Sequence, residues 1–305
     1  MKPQNYLENI LKSQTLLEGC DELKALRSER EKVEQLLNNG FNESNPTIQY
    51  GGSKAKGTMI RESYDLDIIC YFGHDDKKCG ETLEEIYNNV KKVLDPKYRI
   101  NPKTSALRLQ NKDPQKFGVD FHIDVVPGRY TDKSKQDAFL YQSQGEKKSL
   151  KTNLQKHINI IKDSNLVDTI KLIKLWKIKN GLQIKTFVLE LLVVEILKSR
   201  CKLTDSKGLD VCLKKFWEQI RDDINNIKIE DPANPTGNDI SELLSTSVKA
   251  ALSSSAKRVL ESVGKDRWID IFGETEPLDH DSKVAAVNII SQKRSDFPKP
   301  WSYSV

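Results

Sequence analysis

The sequence predicts an α+β protein, with a mixed strand-and-helix first half and an all-helical second half. Two observations carry that expectation. Between about residues 47 and 126, short runs alternate apolar and polar side chains, the period of half-buried strands. Beyond about Leu150 the apolar residues recur every three or four positions, the period of helices. Residues 1–150 and 151–305 are therefore expected to form two domains.

From about Asn5 to Asn38, Tyr6, Leu7, Ile10, Leu11, Leu16, Leu17, Leu23, Leu26, Val33, Leu36 and Leu37 follow helical spacing, and Asn38-Asn39-Gly40 ends the pattern. One helix of that length would be about 50 Å long, enough to run along both halves. The alternative is two shorter helices broken near Gly19. Thr47-Ile48-Gln49-Tyr50 reads as a strand, as does Leu66 to Phe72, with Ile68 and Ile69 buried. Glu81 to Val93 is an amphipathic helix. Arg99-Ile100 and Ala106-Leu107-Arg108-Leu109 suggest a hairpin. Val119 to Val126 is a strand that Pro127-Gly128 should halt. Helices are expected at Asn153–Lys162, Leu166–Lys179, Lys185–Ser199, Leu209–Asn225, Ile240–Val263 and Arg267–Phe272, with a loop over residues 231–238. No internal repeat or low-complexity tract is present.

Composition narrows the function classes. In 305 residues, 37% are hydrophobic and 30% charged, which indicates a packed core rather than disorder. No run of about 18 or more apolar residues exists, so no membrane-spanning helix is expected. The start, Met1 to Asn5, does not read as a signal peptide. Five scattered cysteines (Cys20, Cys70, Cys79, Cys201, Cys212) make neither a disulfide framework nor a cysteine zinc site, and a reducing cytoplasm suits them. His74, His122, His157 and His280 also lack metal-ligand spacing. The net charge of +5 suits an anionic substrate such as a nucleotide. It permits RNA binding without requiring it and falls short of the footprint of a dedicated nucleic-acid binder.

Gly51-Gly52-Ser53 stands directly after a strand. Glycines there let the backbone approach a phosphate, and the Ser53 hydroxyl can donate to one of its oxygens. The spacing is not that of a P-loop. Downstream lies Asp65-Leu66-Asp67. Two residues apart on a strand, its carboxylates share a face, and their repulsion is relieved by a cation, for which Mg²⁺ is the natural choice. A third carboxylate should come from Val119–Pro127, where Asp120, His122 and Asp124 share one face and Phe121, Ile123 and Val125 the other. Spacing alone does not choose between Asp120 and Asp124. Three carboxylates on paired strands beside a Gly-Ser turn meet the needs of two-metal phosphoryl transfer.

These residues, Gly51-Gly52-Ser53, Asp65-Leu66-Asp67 and Ile123-Asp124-Val125-Val126-Pro127, resemble the polymerase-β-like nucleotidyltransferases. Within them the chain is most similar to the cGAS/DncV-like nucleotidyltransferases (CD-NTases), bacterial relatives of oligoadenylate synthase and cyclic GMP–AMP synthase. The family's third carboxylate precedes a Val/Leu-Val/Leu-Pro segment, and that match selects Asp124. The resemblance implies a polymerase-β-like core with a mixed sheet, a long N-terminal spine helix and a C-terminal helical domain like that of oligoadenylate synthase. It further implies two Mg²⁺ ions, or Mn²⁺ in their place, held by Asp65, Asp67 and Asp124. Lys171-Leu172-Ile173-Lys174-Leu175-Trp176-Lys177 resembles the helix whose basic residues reach the donor triphosphate, which makes Lys171 and Lys174 phosphate ligands beside Gly52 and Ser53. Thr186 stands where relatives often carry Ser and is the candidate to hold the donor nucleotide.

The implied activity is synthesis of a cyclic di- or trinucleotide from nucleoside triphosphates, ATP among them, in bacterial anti-phage (CBASS) signalling with accessory proteins and a separate effector. The zinc-binding insertion of the animal enzyme is missing, which argues against zinc-dependent double-stranded DNA binding. The alternatives are a linear oligonucleotide, CCA or poly(A) polymerase, or a relative that binds nucleotide without catalysis. Tyr130, Phe139, Tyr141 and Phe187 are candidate stacking platforms for a base, each equally explained as core.

Overall fold

The computed structural model describes residues 2–17, 19–112, 123–198, 208–234 and 239–274. Asp120, His122, Cys201, His280 and the final residues 300–305 fall outside these, as does part of the expected 231–238 loop.

The expected single first helix is two helices, α1 (Pro3–Gln14) and α2 (Asp21–Gly40). Thr15 and Cys20 are extended and Gly19 takes a φ of +86° between them. The Arg61 amide donates to the carbonyl of Gln14 at 2.9 Å, satisfying the end of α1. The physical reason for the break is that the two apolar stripes serve different cores. Leu7, Ile10 and Leu11 of α1 join the helical core. Leu23, Leu26, Val33 and Leu37 of α2 join the core beneath the sheet. A straight helix would carry one stripe past its partners.

The strands are β1 (Thr47–Tyr50), β2 (Leu66–Phe72), β3 (Tyr98–Pro102), β4 (Leu107–Asn111), β5 (Ile123–Tyr130), β6 (Ala138–Tyr141) and β7 (Ser149–Thr152). They form one mixed sheet in the order β1-β2-β5-β4-β3, with β6 and β7 extending from β5. Among the described strands, only β2 and β5 pair in parallel. Between them and their neighbours lie the short α3 (Gly52–Lys56) and α4 (Leu83–Leu94). A capping box opens α4, with Thr82 and Glu85 exchanging side-chain and backbone hydrogen bonds. Its apolar face, Ile86, Tyr87, Val90 and Leu94, packs with α2 against one face of the sheet.

The strand over residues 123–130 does not stop at Pro127-Gly128. Its pairing with β4 ends at Val125 and its pairing with β6 begins at Gly128. Pro127 falls in that gap along one edge, where a residue without an N–H is tolerated. Gly128 then leaves room for Tyr71 and Leu140, which a Cβ there would meet at 2.9 and 2.8 Å.

The second half holds α5 (Leu154–Lys162), α6 (Val167–Lys179), α7 (Thr186–Leu197), α8 (Leu209–Asp223), α9 (Thr246–Gly264) and α10 (Ile269–Phe272). The expected helix from Ile240 is split: a 3₁₀ turn at Ile240–Leu243 precedes α9, whose start is capped by the Ser245 hydroxyl. Almost every side of α7 is apolar and buried, so it forms the middle of this core. Around it Trp176, Phe216, Trp217, Trp268 and Phe272 pack edge-on or tilted. The first helix closes this core by packing on α6 and α8. Gln4 accepts from the Leu209 amide at 2.7 Å, and the Tyr6 hydroxyl donates to the Gly273 carbonyl at 2.6 Å. No described helix is long and apolar enough to cross a membrane.

Trp217 is fully buried among Trp176, Trp268 and Phe272. Trp217→Ala should therefore cost about 3–5 kcal/mol. Urea unfolding followed by circular dichroism checks this. A loss under about 1 kcal/mol, the size of an ordinary surface change, would contradict the packing.

Candidate active site

Alternation along β2 sends Leu66, Ile68, Cys70 and Phe72 into the core shared with α2 and α4. The opposite face carries Ile69 and Tyr71 and, at its leading end, Asp67. In β5 the same alternation puts Ile123 and Val125 in the core and leaves Asp124 on the other face. The parallel register pairs Asp67 with Asp124 directly. Neighbouring strands are about 4.8 Å apart, so two carboxylates stand side by side, with Asp65 just before the strand.

The Gly-Gly-Ser turn is built against this pair. The Gly51 amide donates to the Asp67 carbonyl at 2.8 Å, holding the turn to the start of β2. Gly52 has a φ of +50°, and a Cβ there would lie 1.6 Å from Asp67 Oδ2. Only glycine lets the chain pass the carboxylate so closely. Ser53 follows within α3 and stays partly exposed.

Asp67 retains some solvent exposure but is ringed by protein. Burial first, then the charges of Asp124 and Asp65, push its carboxyl up from 3.8 to about 7, against the opposing pull of Lys56 and Arg108. Asp124 has a partner opposite it in β4. Arg108 donates from Nε to Oδ1 at 2.7 Å and from Nη2 to Oδ2 at 2.6 Å, a side-on fork. That contact, above all, holds the guanidinium firmly in its charged form, with further support from Asp65 and Asp67. Among the described residues, no three carboxylate, histidine or cysteine side chains already form a closed metal cage. The three aspartates do suit a hard divalent cation chemically. They are oxygen donors close enough to affect one another, and burial, then the charges of Asp124 and Asp65, drive Asp67 toward protonation, a repulsion that a cation relieves.

Beneath the turn lies a second group of charges. Lys56 donates to Glu190 Oε2 at 2.5 Å, and the Thr58 hydroxyl donates to Glu190 Oε1 at 2.5 Å. Lys174 donates to the Thr58 carbonyl at 2.7 Å and stands 3.9 Å from Glu190. All four residues are buried. Burial lowers Lys174 to about 8, with Glu190 opposing the shift. The structure thus sets Lys174 in a buried network joining α3, α6 and α7. Lys171 lies 3.7 Å from Asp168 on the same helix. The lysine that couples electrostatically to Asp65 is Lys177, one further step of three along α6. Its Nζ donates to the Thr186 hydroxyl at 3.0 Å. Thr186 and Lys177 are therefore neighbours at the start of α7, both part-exposed.

Sequence reasoning did not single out Lys177, Arg108, Lys56 or Glu190, yet all but Lys56 carry a signal. Lys177 continues the spacing of Lys171 and Lys174. Arg108 interrupts an apolar strand between Leu107 and Leu109, and Glu190 is one of two charges, with Glu195, in an otherwise apolar helix. Such residues need buried partners. Of the candidate base platforms, Tyr130 is buried against Tyr71, and Tyr141 donates to Glu84 at 2.9 Å. Phe187 lies edge-on to His157 beneath the Lys56 ammonium. Phe139 is 40% exposed in β6.

No protein-family model and no curated protein sequence matches this chain. Its fold does match solved structures of CD-NTases. CdnC from E. coli MS115-1, solved as a complex with HORMA-deltaN, superposes with a TM-score of 0.67 at 17% identity, covering 90% of this chain and 98% of that one. A mutant of the Vibrio cholerae dinucleotide cyclase DncV, solved with ATP and GTP, gives 0.70 at 12% identity, covering 89% and 96%. Bradyrhizobium diazoefficiens CdnG, solved with GTP, gives 0.63 at 14% identity, covering 94% and 99%. The chain therefore has the cGAS/DncV-like nucleotidyltransferase fold over nearly its whole described length.

The raised Asp67 carboxyl has a consequence for stability. Its folded value of about 7 exceeds its ordinary 3.8, so protonation favours the folded state. That contribution is full below about pH 4 and is lost as the pH rises through 7. Without divalent cations, thermal stability should fall more from pH 4 to 7 in the wild type than in Asp67→Asn. Melting curves across that range check it, and parallel pH dependences would contradict the assignment.

Proposed function

We propose that this chain is a nucleotidyltransferase that joins nucleoside triphosphates through their phosphates and closes them into a cyclic di- or trinucleotide. The observation that supports it most directly is the in-register pair Asp67 and Asp124, with the Gly52 backbone pressed against Asp67. The fold shared with nucleotide cyclases solved with ATP or GTP supports the same reading. One DncV structure also holds a linear intermediate, a step between separate substrates and a ring.

In this reading, Asp65, Asp67 and Asp124 hold two Mg²⁺ ions. When bound, these neutralise the triphosphate and lower the pKa of the attacking ribose hydroxyl. The remaining work falls to the chain's own groups. Gly52 and Ser53 bring backbone and hydroxyl donors to the phosphates on one side. Lys177, with Thr186, offers a cation and a hydroxyl on the other, while Lys171 lies a helical turn or two away on α6. Lys174, held at Thr58, bears on the phosphates through its charge and through the position of the segment after α3. In the same reading Asp124 accepts the proton of the attacking hydroxyl. In this reading the first half supplies the carboxylates and the second half Lys171, Lys174 and Lys177, with α1 packed among the second half's helices. Within the same reading, the product acts as a second messenger in anti-phage CBASS signalling in the bacterial cytoplasm.

The test is incubation with all four ribonucleoside triphosphates and Mg²⁺, then phosphatase and mass spectrometry. A cyclic product survives phosphatase because it has no terminal phosphate. A linear product would lose its phosphates and replace this reading with a polymerase. Asp67→Ala and Asp124→Ala should each reduce product at least ~100-fold, since even residues behind metal ligands cost about 10–100-fold. Chelation of divalent ions should do the same. Full activity in either variant would overturn the metal assignment.

A further inference from the structure

Arg108 and Asp124 face each other across the β4–β5 ladder, and the two-point fork between them occupies both oxygens of the carboxylate. Neither side chain is more than 16% exposed, so water screens the pair weakly. Asp65 and Asp67 also attract the guanidinium. Arg108 thus bears on all three aspartates, with Lys56 adding its charge at Asp67 and Lys177 at Asp65. Two parallel-strand carboxylates at this spacing would otherwise repel each other without relief. A guanidinium cannot lose its proton to escape a competing cation. An incoming divalent ion meets both a positive charge and an acceptor whose oxygens are already engaged.

We propose that Arg108 is the resident counter-ion of the carboxylate site and a positioning residue that sets its affinity for divalent cations. Without a divalent ion it holds Asp124 in line with Asp67. A divalent ion gains full use of Asp124 as the fork turns away from at least one oxygen. The charge of the site is then exchanged rather than accumulated. This rests on the reading of Asp124 as a metal ligand.

Mn²⁺ alone is the probe, titrated into the full chain and followed by electron paramagnetic resonance of free Mn²⁺, with thermal melts in parallel. Arg108→Gln should bind Mn²⁺ about tenfold more tightly, the scale of one charged hydrogen bond no longer competed for. It should melt below the wild type without Mn²⁺ and recover more than the wild type gains when Mn²⁺ is added. Arg108→Lys, which keeps the charge but not the fork, should fall between the two and serves if Arg108→Gln does not fold. Unchanged or weaker Mn²⁺ binding in the variant used, with the same stability loss with and without Mn²⁺, would overturn the proposal and leave Arg108 a structural rivet. Asp124→Asn separates the two layers of argument. If it leaves Mn²⁺ binding intact, the ligand assignment falls and the proposal with it. If it weakens binding while Arg108→Gln does not strengthen it, only the counter-ion role falls.

Discussion

Two carboxylates at matched positions of adjacent parallel strands are an arrangement that folding does not favour on its own. Asp67 and Asp124 sit side by side because the alternation of β2 and β5 puts apolar neighbours into the core on the other face, and that burial outweighs the repulsion. The cost is then contained locally. Gly52 gives Asp67 the space it needs, Arg108 binds Asp124 from the far side, and Lys56 adds positive charge from below. Gly52 and Arg108 are intelligible from the carboxylate pair, and Lys56 from that pair together with Glu190.

The same pair explains why a buried charge network lies between the sheet and the helices. Glu190 comes from the middle of the helical core, whereas Lys56 and Thr58 follow directly on the Gly-Gly-Ser turn. With Lys174 included, the group holds two lysines for one carboxylate, and the charge of Lys56 also bears on Asp67. Replacing one partner of such a group leaves an uncompensated charge, which makes the spacing between the turn and α7 rigid. The Gly-Gly-Ser turn and α7 are therefore tied together through one buried group of charges.

Much of this was legible in the chain itself. Period-two alternation located β1 and β2 to the residue, and it put Asp67 on the polar face. The choice of Asp124 was not legible that way, because Asp120 shares its face and only the family motif separated them. The strands β6 and β7 were missed because Ala138–Tyr141 and Ser149–Thr152 are too short to show a period. Helical spacing put Lys171 and Lys174 near one another, but spacing cannot say which face turns inward, and burial of Lys174 depends on a glutamate sixteen positions later. The break near Gly19 was legible only as the alternative to one long helix. One glycine is tolerable in a helix, and what decides is that two stripes of leucines answer to separate cores.

That break has a bearing on how the chain assembles. The partners of α1 lie at α6, α8 and Gly273, most of the sequence away. The partners of α2, α4 and β2, lie close at hand. Local contacts form quickly, while distant ones wait on the closure of a long loop. The sheet core can thus condense around α2 as the chain leaves the ribosome. The helix α1 docks late, and Leu7, Ile10 and Leu11 stay uncovered until α6 and α8 have formed. The turn at Gly19 is what allows α2 to fold early without carrying α1 along.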